Sequence, residues 1–105
     1  MVRNLRRGTT PTIQLTVDYD LTGFTVYVTF RSGGHEQTFT NERLTIEPGE
    51  STSIQVPLTQ EETLALDVGN AEVQVRAIKD GAAIATDSKS IDVGRILLDG
   101  VIDEL

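Results

Sequence analysis

The chain has 105 residues, 38% of them hydrophobic, and a formal net charge of −7, which suits one globular domain spanning residues 1–105. It contains no cysteine, so disulfide bonds, thiol catalysis and cysteine-ligated metals are excluded. Because the charge balance is acidic, with a sequence pI near 4.5, we expect no nucleic-acid partner.

The first residues carry a basic cluster of Arg3, Arg6 and Arg7. It is followed by the polar stretch GTTP at residues 8–11 rather than by the apolar run of a signal peptide. Nor does any stretch resemble a membrane span. We therefore expect no signal peptide and no membrane partner, synthesis in the cytoplasm, and a frayed, soluble terminus. Binding of phosphate or of an acidic partner is the alternative interpretation of this cluster.

Alternation of apolar and polar residues predicts two strands in the first third of the chain. Turn-forming residues at 20–23 separate them. The apolar rows are Ile13, Leu15, Val17 and Tyr19 in the first strand, and Phe24, Val26, Val28 and Phe30 in the second.

The middle of the chain predicts shorter strands joined by turns. SGG at 32–34 is a hairpin-type break before a returning strand over 35–40. Short extended segments follow at 44–46 and 51–56. TQEE at 59–62 has the pattern of a capping box, which predicts a single helical turn.

The last third predicts a further row of inward-facing residues over 71–78, a hairpin turn at Asp80-Gly81, and extended segments over 82–86 and 91–93. In total the sequence predicts about seven strands with turns between them. This pattern is typical of an all-β, antiparallel, immunoglobulin-like sandwich, here with one short helical turn. Its core should be aliphatic, with phenylalanine as its bulk: Phe24, Phe30 and Phe39.

Candidate catalytic and metal-binding residues are few. His35 is the single histidine and lies beside a predicted hairpin tip, so we interpret it as an exposed loop residue. Asp18 and Asp20 share a strand face, and with C-terminal acids they could form an oxygen-ligand calcium site. We favour solvated loop acids instead. The sequence therefore predicts no catalytic residue, no metal site and no cofactor. The C-terminal acids in question are Asp99, Asp103 and Glu104.

The segment over 95–105 contains six large aliphatic residues among eleven. Five of them follow helical spacing, although Gly100 weakens a helix. One interpretation is that residues 96–98 complete the edge of the sandwich and that the rest packs back on the same chain. The other is that the segment remains an exposed apolar surface for assembly with a partner or with a second copy. The candidate interface residues are Leu97, Leu98, Val101, Ile102 and Leu105.

Several motifs resemble a known group of proteins. They are RGTTP at 7–11, DLTG at 20–23, LTQEETL at 58–64, VQVR at 73–76 and the closing stretch over 93–102. Together they resemble the small immunoglobulin-like domains of tail and baseplate proteins of Gram-positive phages and prophages, in particular the N-terminal domain of the upper baseplate protein.

That resemblance implies a non-enzymatic structural protein of the virion, which binds other phage structural proteins or itself as an oligomer. It also implies a location in the assembled virion. The alternative is a module that binds glycans of the host cell surface, which would need an exposed aromatic platform. Tyr19 and Tyr27 are the two tyrosines available for one.

Overall fold

Residues 4–104, the part of the chain that the structure describes, form nine strands, one short helix and a 3₁₀ turn in a computed structural model. The helix α1 covers Gln60–Leu64, and the 3₁₀ turn covers Asn41–Arg43. The strands are β1 Asn4–Arg6, β2 Thr12–Val17, β3 Thr25–Ser32, β4 His35–Phe39, β5 Thr45–Glu47, β6 Thr52–Pro57, β7 Gly69–Lys79, β8 Ala82–Ala85 and β9 Lys89–Gly94.

The strands form two sheets that enclose one core. The larger sheet has the order β1-β9-β7-β3-β4, with β8 pairing to β7 beside β9, and the smaller has the order β2-β6-β5. In a seven-stranded immunoglobulin-like sandwich, one sheet contains the second, fourth and fifth strands and the other contains the third, sixth and seventh. When β4 and β8 are left out of the count, the smaller sheet corresponds to the first group, and β3, β7 and β9 correspond to the second. The predicted all-β sandwich is therefore confirmed.

The structure differs from the sequence prediction in three details. Nine strands form instead of about seven, and the three-residue β1 is the one that no predicted segment covers. The pairing is not wholly antiparallel, because β1 runs parallel to β9 with Leu5 opposite Val93. A 3₁₀ turn joins the predicted helical turn as a second helical element.

The prediction of a frayed basic terminus is wrong for Arg6, which lies in β1. Leu5 is buried and holds that strand in place. Arg3 lies outside the described residues.

The core follows the alternation of the sequence. Every second residue of β2 is buried, and the same holds along most of β7. Phe30 and Phe39 are buried and meet edge to face, with ring centroids 5.8 Å apart. Phe24 is only half-buried, against the edge of the core. The apolar residues of the two sheets thus supply most of the burial, as the pattern of period two predicts.

Helix α1 joins β6 to β7, and a capping box fixes its start. Thr59 Oγ1 accepts a hydrogen bond from the Glu62 N–H, and the Glu62 carboxylate accepts one from the Thr59 N–H. Arg43 forms two further hydrogen bonds to this carboxylate, at 2.7 and 2.8 Å. The bonds from Arg43 lower the pKa of Glu62, and the same pairing raises the pKa of Arg43. The predicted capping box is confirmed.

Candidate interaction surface

The last strand ends at Gly94, and residues 95–104, here called the C-terminal segment, contain neither helix nor strand. The prediction that residues 96–98 complete the sandwich edge is therefore wrong. The helical spacing of the segment does not produce a helix either. Gly100 has a φ of 94°, which interrupts any continuous right-handed helix at the middle of the segment.

The segment begins by crossing the loop that precedes β2. Ile96 is half-buried, and its Cδ1 lies 2.9 Å from the position that a Cβ on Gly8 would occupy. The Leu64 Cδ2 atom of α1 lies 3.5 Å from the same Cβ position. Because Gly8 has a φ of 75° and no side chain, the segment can approach the loop this closely.

Farther along, the segment is held by the side chain of Gln60, the first residue of α1. The Gln60 amide nitrogen donates to the Ile102 carbonyl at 3.1 Å, and the Ile102 N–H donates to the Gln60 amide oxygen at 2.9 Å. The glutamine amide thus pairs with the backbone as a neighbouring strand would. This contact fixes the position of the segment through its backbone and leaves its side chains free.

Two arginines of the basic cluster also contact the segment. Arg6 donates to the Arg95 carbonyl at 2.8 Å. Arg7 donates to the Leu64 carbonyl and forms an ion pair with Asp99, with a nitrogen-to-oxygen distance of 3.6 Å. The Nε of Arg7 is buried without a hydrogen-bond partner among the described residues. These arginines are therefore structural contacts, which the interpretation of a solvated terminus missed.

Despite these contacts, the apolar side chains of the segment beyond Ile96 face solvent. The exposed fractions are 96% for Leu97, 72% for Leu98, 49% for Val101 and 57% for Ile102. Leu105, the fifth predicted interface residue, lies outside the described residues. The segment returns to its own chain, as one interpretation expected, but it does so through amide and charge contacts. The four described apolar side chains that the other interpretation singled out are exposed.

His35 lies near Ser32 and Asp67, so the three residue types of a catalytic triad meet here. His35 is exposed, and its Nδ1 lies 3.7 Å from the Asp67 carboxylate. The buried Ser32 hydroxyl, however, donates to the Asp67 carbonyl and accepts from the Asp67 N–H. Because these bonds occupy the hydroxyl, its role is to fasten β3 to the segment between α1 and β7. An activated serine would instead contact the imidazole.

Three of the acids considered as calcium ligands each have a partner of their own within the chain. Asp20 accepts hydrogen bonds from the Thr22 hydroxyl and N–H, which lower the pKa of Asp20. Asp18 accepts one from Ser51, and Asp99 lies beside Arg7. Within residues 4–104 there is no group of three or more acids or histidines placed to hold a metal ion. The local hydrogen bonds therefore account for these carboxylates.

The two tyrosines lie in different surroundings. Tyr19 is 48% exposed and packs edge-on against Phe24, with ring centroids 5.9 Å apart. Tyr27 is 39% exposed on the outer face of the larger sheet. It borders a shallow depression of about 250 Å³ with Arg76 and Ile78. Tyr27 is thus the aromatic side chain best placed to meet a ligand on that face.

No protein-family model matches the chain, and no curated protein sequence matches it. Among the described residues, the structure has no helix of the length and apolarity that crossing a membrane requires. The resemblance to phage tail and baseplate domains therefore remains a prediction from the motifs quoted above.

Proposed function

We propose that this chain is a non-enzymatic structural protein of a phage or prophage virion, which acts as an assembly or interaction module of the tail or baseplate. Its C-terminal segment is the binding surface. The observation that carries the proposal is the exposure of Leu97 and Leu98 on a segment that is nevertheless held in place. Large apolar side chains left exposed together typically mark a protein-binding site.

The way the segment is held supports the same conclusion. A loose tail would lose conformational entropy when it bound a partner. Here the Gln60 amide and the Arg7–Asp99 ion pair already restrict the backbone of the segment. The apolar side chains are consequently presented by an ordered segment, and less entropy is lost on binding.

The non-enzymatic part of the proposal is supported by the hydrogen bonding of the polar residues. The Ser32 hydroxyl is bonded to the backbone of Asp67, and the Glu62 carboxylate caps α1 and binds Arg43. Each of these groups has a structural partner that explains its position. Assembly modules need no reactive group, and their contacts come from surface shape and apolar area.

Incorporation into particles tests the proposal directly. The wild-type chain, the double variant Leu97→Ser/Leu98→Ser and the matched control Tyr27→Ser/Ile78→Ser are each supplied to an induced phage or prophage host that lacks its own copy. We expect mass spectrometry of purified particles to find the wild type and the control, and to find the Leu97/Leu98 variant strongly depleted. Absence of the wild type, or equal incorporation of all three, would contradict the proposal.

A second candidate function is binding of host cell-surface glycan. The exposed Tyr27 beside the depression on the larger sheet favours it, because sugar rings stack on aromatic faces. A glycan array probed with the wild type and with Tyr27→Ser tests this candidate. A signal that disappears with Tyr27→Ser would support it, and an array without any signal would exclude it for the glycans displayed.

A further inference from the structure

We propose that the free edge of strand β8 binds an extended peptide segment of another protein, which adds to the larger sheet as a further strand. The segment presents one large apolar and one acidic side chain, two positions apart, to the outer face of that sheet. This site lies on a different element from the C-terminal segment and is a second binding surface, beyond the function proposed above.

The backbone of β8 has hydrogen-bonding groups that point away from β7. The two strands are antiparallel, and next to β8 the Thr86 N–H donates to the Val75 carbonyl at 2.9 Å. Because bonded and non-bonded positions alternate along an antiparallel pair, the N–H and C=O groups of Ala83 and Ala85 face outward. Within residues 4–104, no strand pairs with β8 on that side. Such groups are matched by the backbone of an extended segment, so the edge itself specifies a peptide strand.

The neighbouring part of the same edge already holds a strand of this kind. β8 and β9 follow one another along β7, with an interruption at 86–88. The three-residue β1 pairs with the end of β9, with Asn4 opposite Asp92 and Arg6 opposite Gly94. The edge of this sheet therefore binds a short extended segment at β9, and the β8 part offers the same type of site.

β8 also lacks the features that usually keep an edge strand from pairing, which are charged residues and proline. The other edge strands of the described residues have them. Arg6 in β1, Glu36 in β4 and Glu47 in β5 are exposed charges, and Pro11 directly precedes β2. The sequence of β8 is AAIA, with glycine before it and threonine after it. β8 is consequently the edge that is open to a further strand.

The outer face of the sheet beside β8 favours a large apolar side chain on the partner. Ala83 lies opposite Ile78, and both side chains are on this face. Ile78 is 42% exposed and borders the depression of about 250 Å³ that Tyr27 also lines. Because the methyl group of Ala83 is short, a large apolar side chain opposite it can lie across the alanine and cover Ile78.

The next position on the same face favours an acid. Ala85 lies opposite Arg76, which is exposed and has no ion pair among the described residues. Positions opposite Ala83 and Ala85 are two apart in the partner and therefore share one face. An acidic side chain opposite Ala85 lies within reach of the guanidinium across the small methyl group. β8 itself contains no acid, so pairing of two β8 strands would leave Arg76 without a partner.

Peptide titration of the full chain, followed by NMR, tests the site. The probe is a short threonine-rich peptide with leucine and glutamate two positions apart. It is used in both orders, because parallel and antiparallel strands require opposite orders. The control peptide has leucine and glutamate adjacent, which places them on opposite faces of a strand. We expect one order to shift the amides of Ala83 and Ala85 and to bind several-fold more tightly than the control peptide.

Two variants test the backbone of the edge. Ala85→Pro removes an N–H that points away from β7, and Ala85→Ser is the matched control that keeps it. We expect Ala85→Pro to weaken binding about tenfold and Ala85→Ser to leave it unchanged. Circular dichroism checks that both variants fold. Equal binding by a folded Ala85→Pro would overturn the pairing at β8.

A charge exchange tests the side-chain part and does not depend on the proline variant. Arg76→Glu should weaken binding of the glutamate peptide and restore binding when lysine replaces that glutamate. Absence of binding in both orders, or equal binding of the control peptide, would overturn the proposal. Amide shifts at Ala83 and Ala85 that depend on protein concentration without peptide would identify a second copy as the occupant and also overturn it. Incorporation into particles through Leu97 and Leu98 is measured separately, so none of these results decides the proposed function.

Discussion

The sandwich body over residues 4–94 and the C-terminal segment over 95–104 use opposite means of staying in place. In the body, apolar side chains are buried and polar ones face outward. In the segment, amide and charge contacts hold the backbone, and large apolar side chains face outward. The difference indicates that the body supplies stability, whereas the segment carries surface that another molecule can bury.

The largest effect is expected from a charge placed in the body. Val75 is 5% exposed in the centre of β7, so Val75→Asp buries an unpaired carboxylate. We expect a loss of about 4 kcal/mol or more, which is a large share of the roughly 5–15 kcal/mol that stabilises a single domain. Circular dichroism during thermal unfolding measures it. Arg76→Asp, one residue away on the outer face, is the control, and a comparable loss there would contradict the assignment of the two faces.

The junction between body and segment is tested by alanine at two glycines. Gly8 and Gly81 have φ values of 75° and 82°, so alanine costs roughly 1–2 kcal/mol of backbone strain at either position. At Gly8 the new Cβ would also lie 2.9 Å from Ile96, whereas at Gly81 nothing lies within 4 Å. We expect Gly8→Ala to cost about 1 kcal/mol more than Gly81→Ala in chemical denaturation. Equal costs would show that Ile96 does not pack on the loop.

Helix α1, whose Gln60 holds the C-terminal segment, also contains Glu62, and the stability that Glu62 contributes depends on pH. Because Arg43 lowers the pKa of this carboxyl in the folded chain, the pair stabilises the fold above the ordinary value of 4.5. That contribution is lost as the pH falls below 4.5 and through the lowered pKa. Glu62→Gln keeps the capping hydrogen bond but removes the charge, and should cost about 1 kcal/mol near neutral pH.

Denaturation of the wild type and Glu62→Gln across the acidic range measures this contribution. The difference between the two should narrow as the pH falls below 4.5. Glu61→Gln, a neighbouring acid in the first turn of α1, is the matched control and should have the smaller effect at neutral pH. A difference between wild type and Glu62→Gln that stays constant with pH would contradict the role of the Arg43–Glu62 pair.

The smallest effect on stability is expected in the segment itself. Leu97 and Leu98 are 96% and 72% exposed, so Leu97→Ser/Leu98→Ser should change the free energy of unfolding by less than about 0.5 kcal/mol. Chemical denaturation at low protein concentration measures this change without a contribution from association. A loss of several kcal/mol would mean that the leucines belong to the core.

The body could be predicted from the sequence because burial in a sheet leaves a pattern of period two. Ile13, Leu15 and Val17 are buried in alternation, as predicted. The capping box at 59–62 was also visible, because its two reciprocal hydrogen bonds require particular residue types at fixed spacing. Strand β1 was missed because Asn4 and Arg6 face outward and only Leu5 marks the strand.

The contacts of the C-terminal segment were beyond the reach of sequence analysis. Gln60 meets Ile102 across 42 positions of sequence, through a backbone that has no residue-specific pattern. Likewise, Arg7 resembled a solvated charge, since nothing local shows that Asp99 returns to it. The composition of the segment did identify the exposed aliphatic residues, but its helical spacing indicated the wrong conformation.

Amide hydrogen exchange in dilute solution tests the central claim that the C-terminal segment is a surface and not part of the core. We expect the amides of β3, β6 and β7 to be protected. Residues 95–104, apart from the Ile102 N–H that donates to Gln60, should exchange faster than those strands. Protection of the whole segment that equals that of the strands would contradict the account.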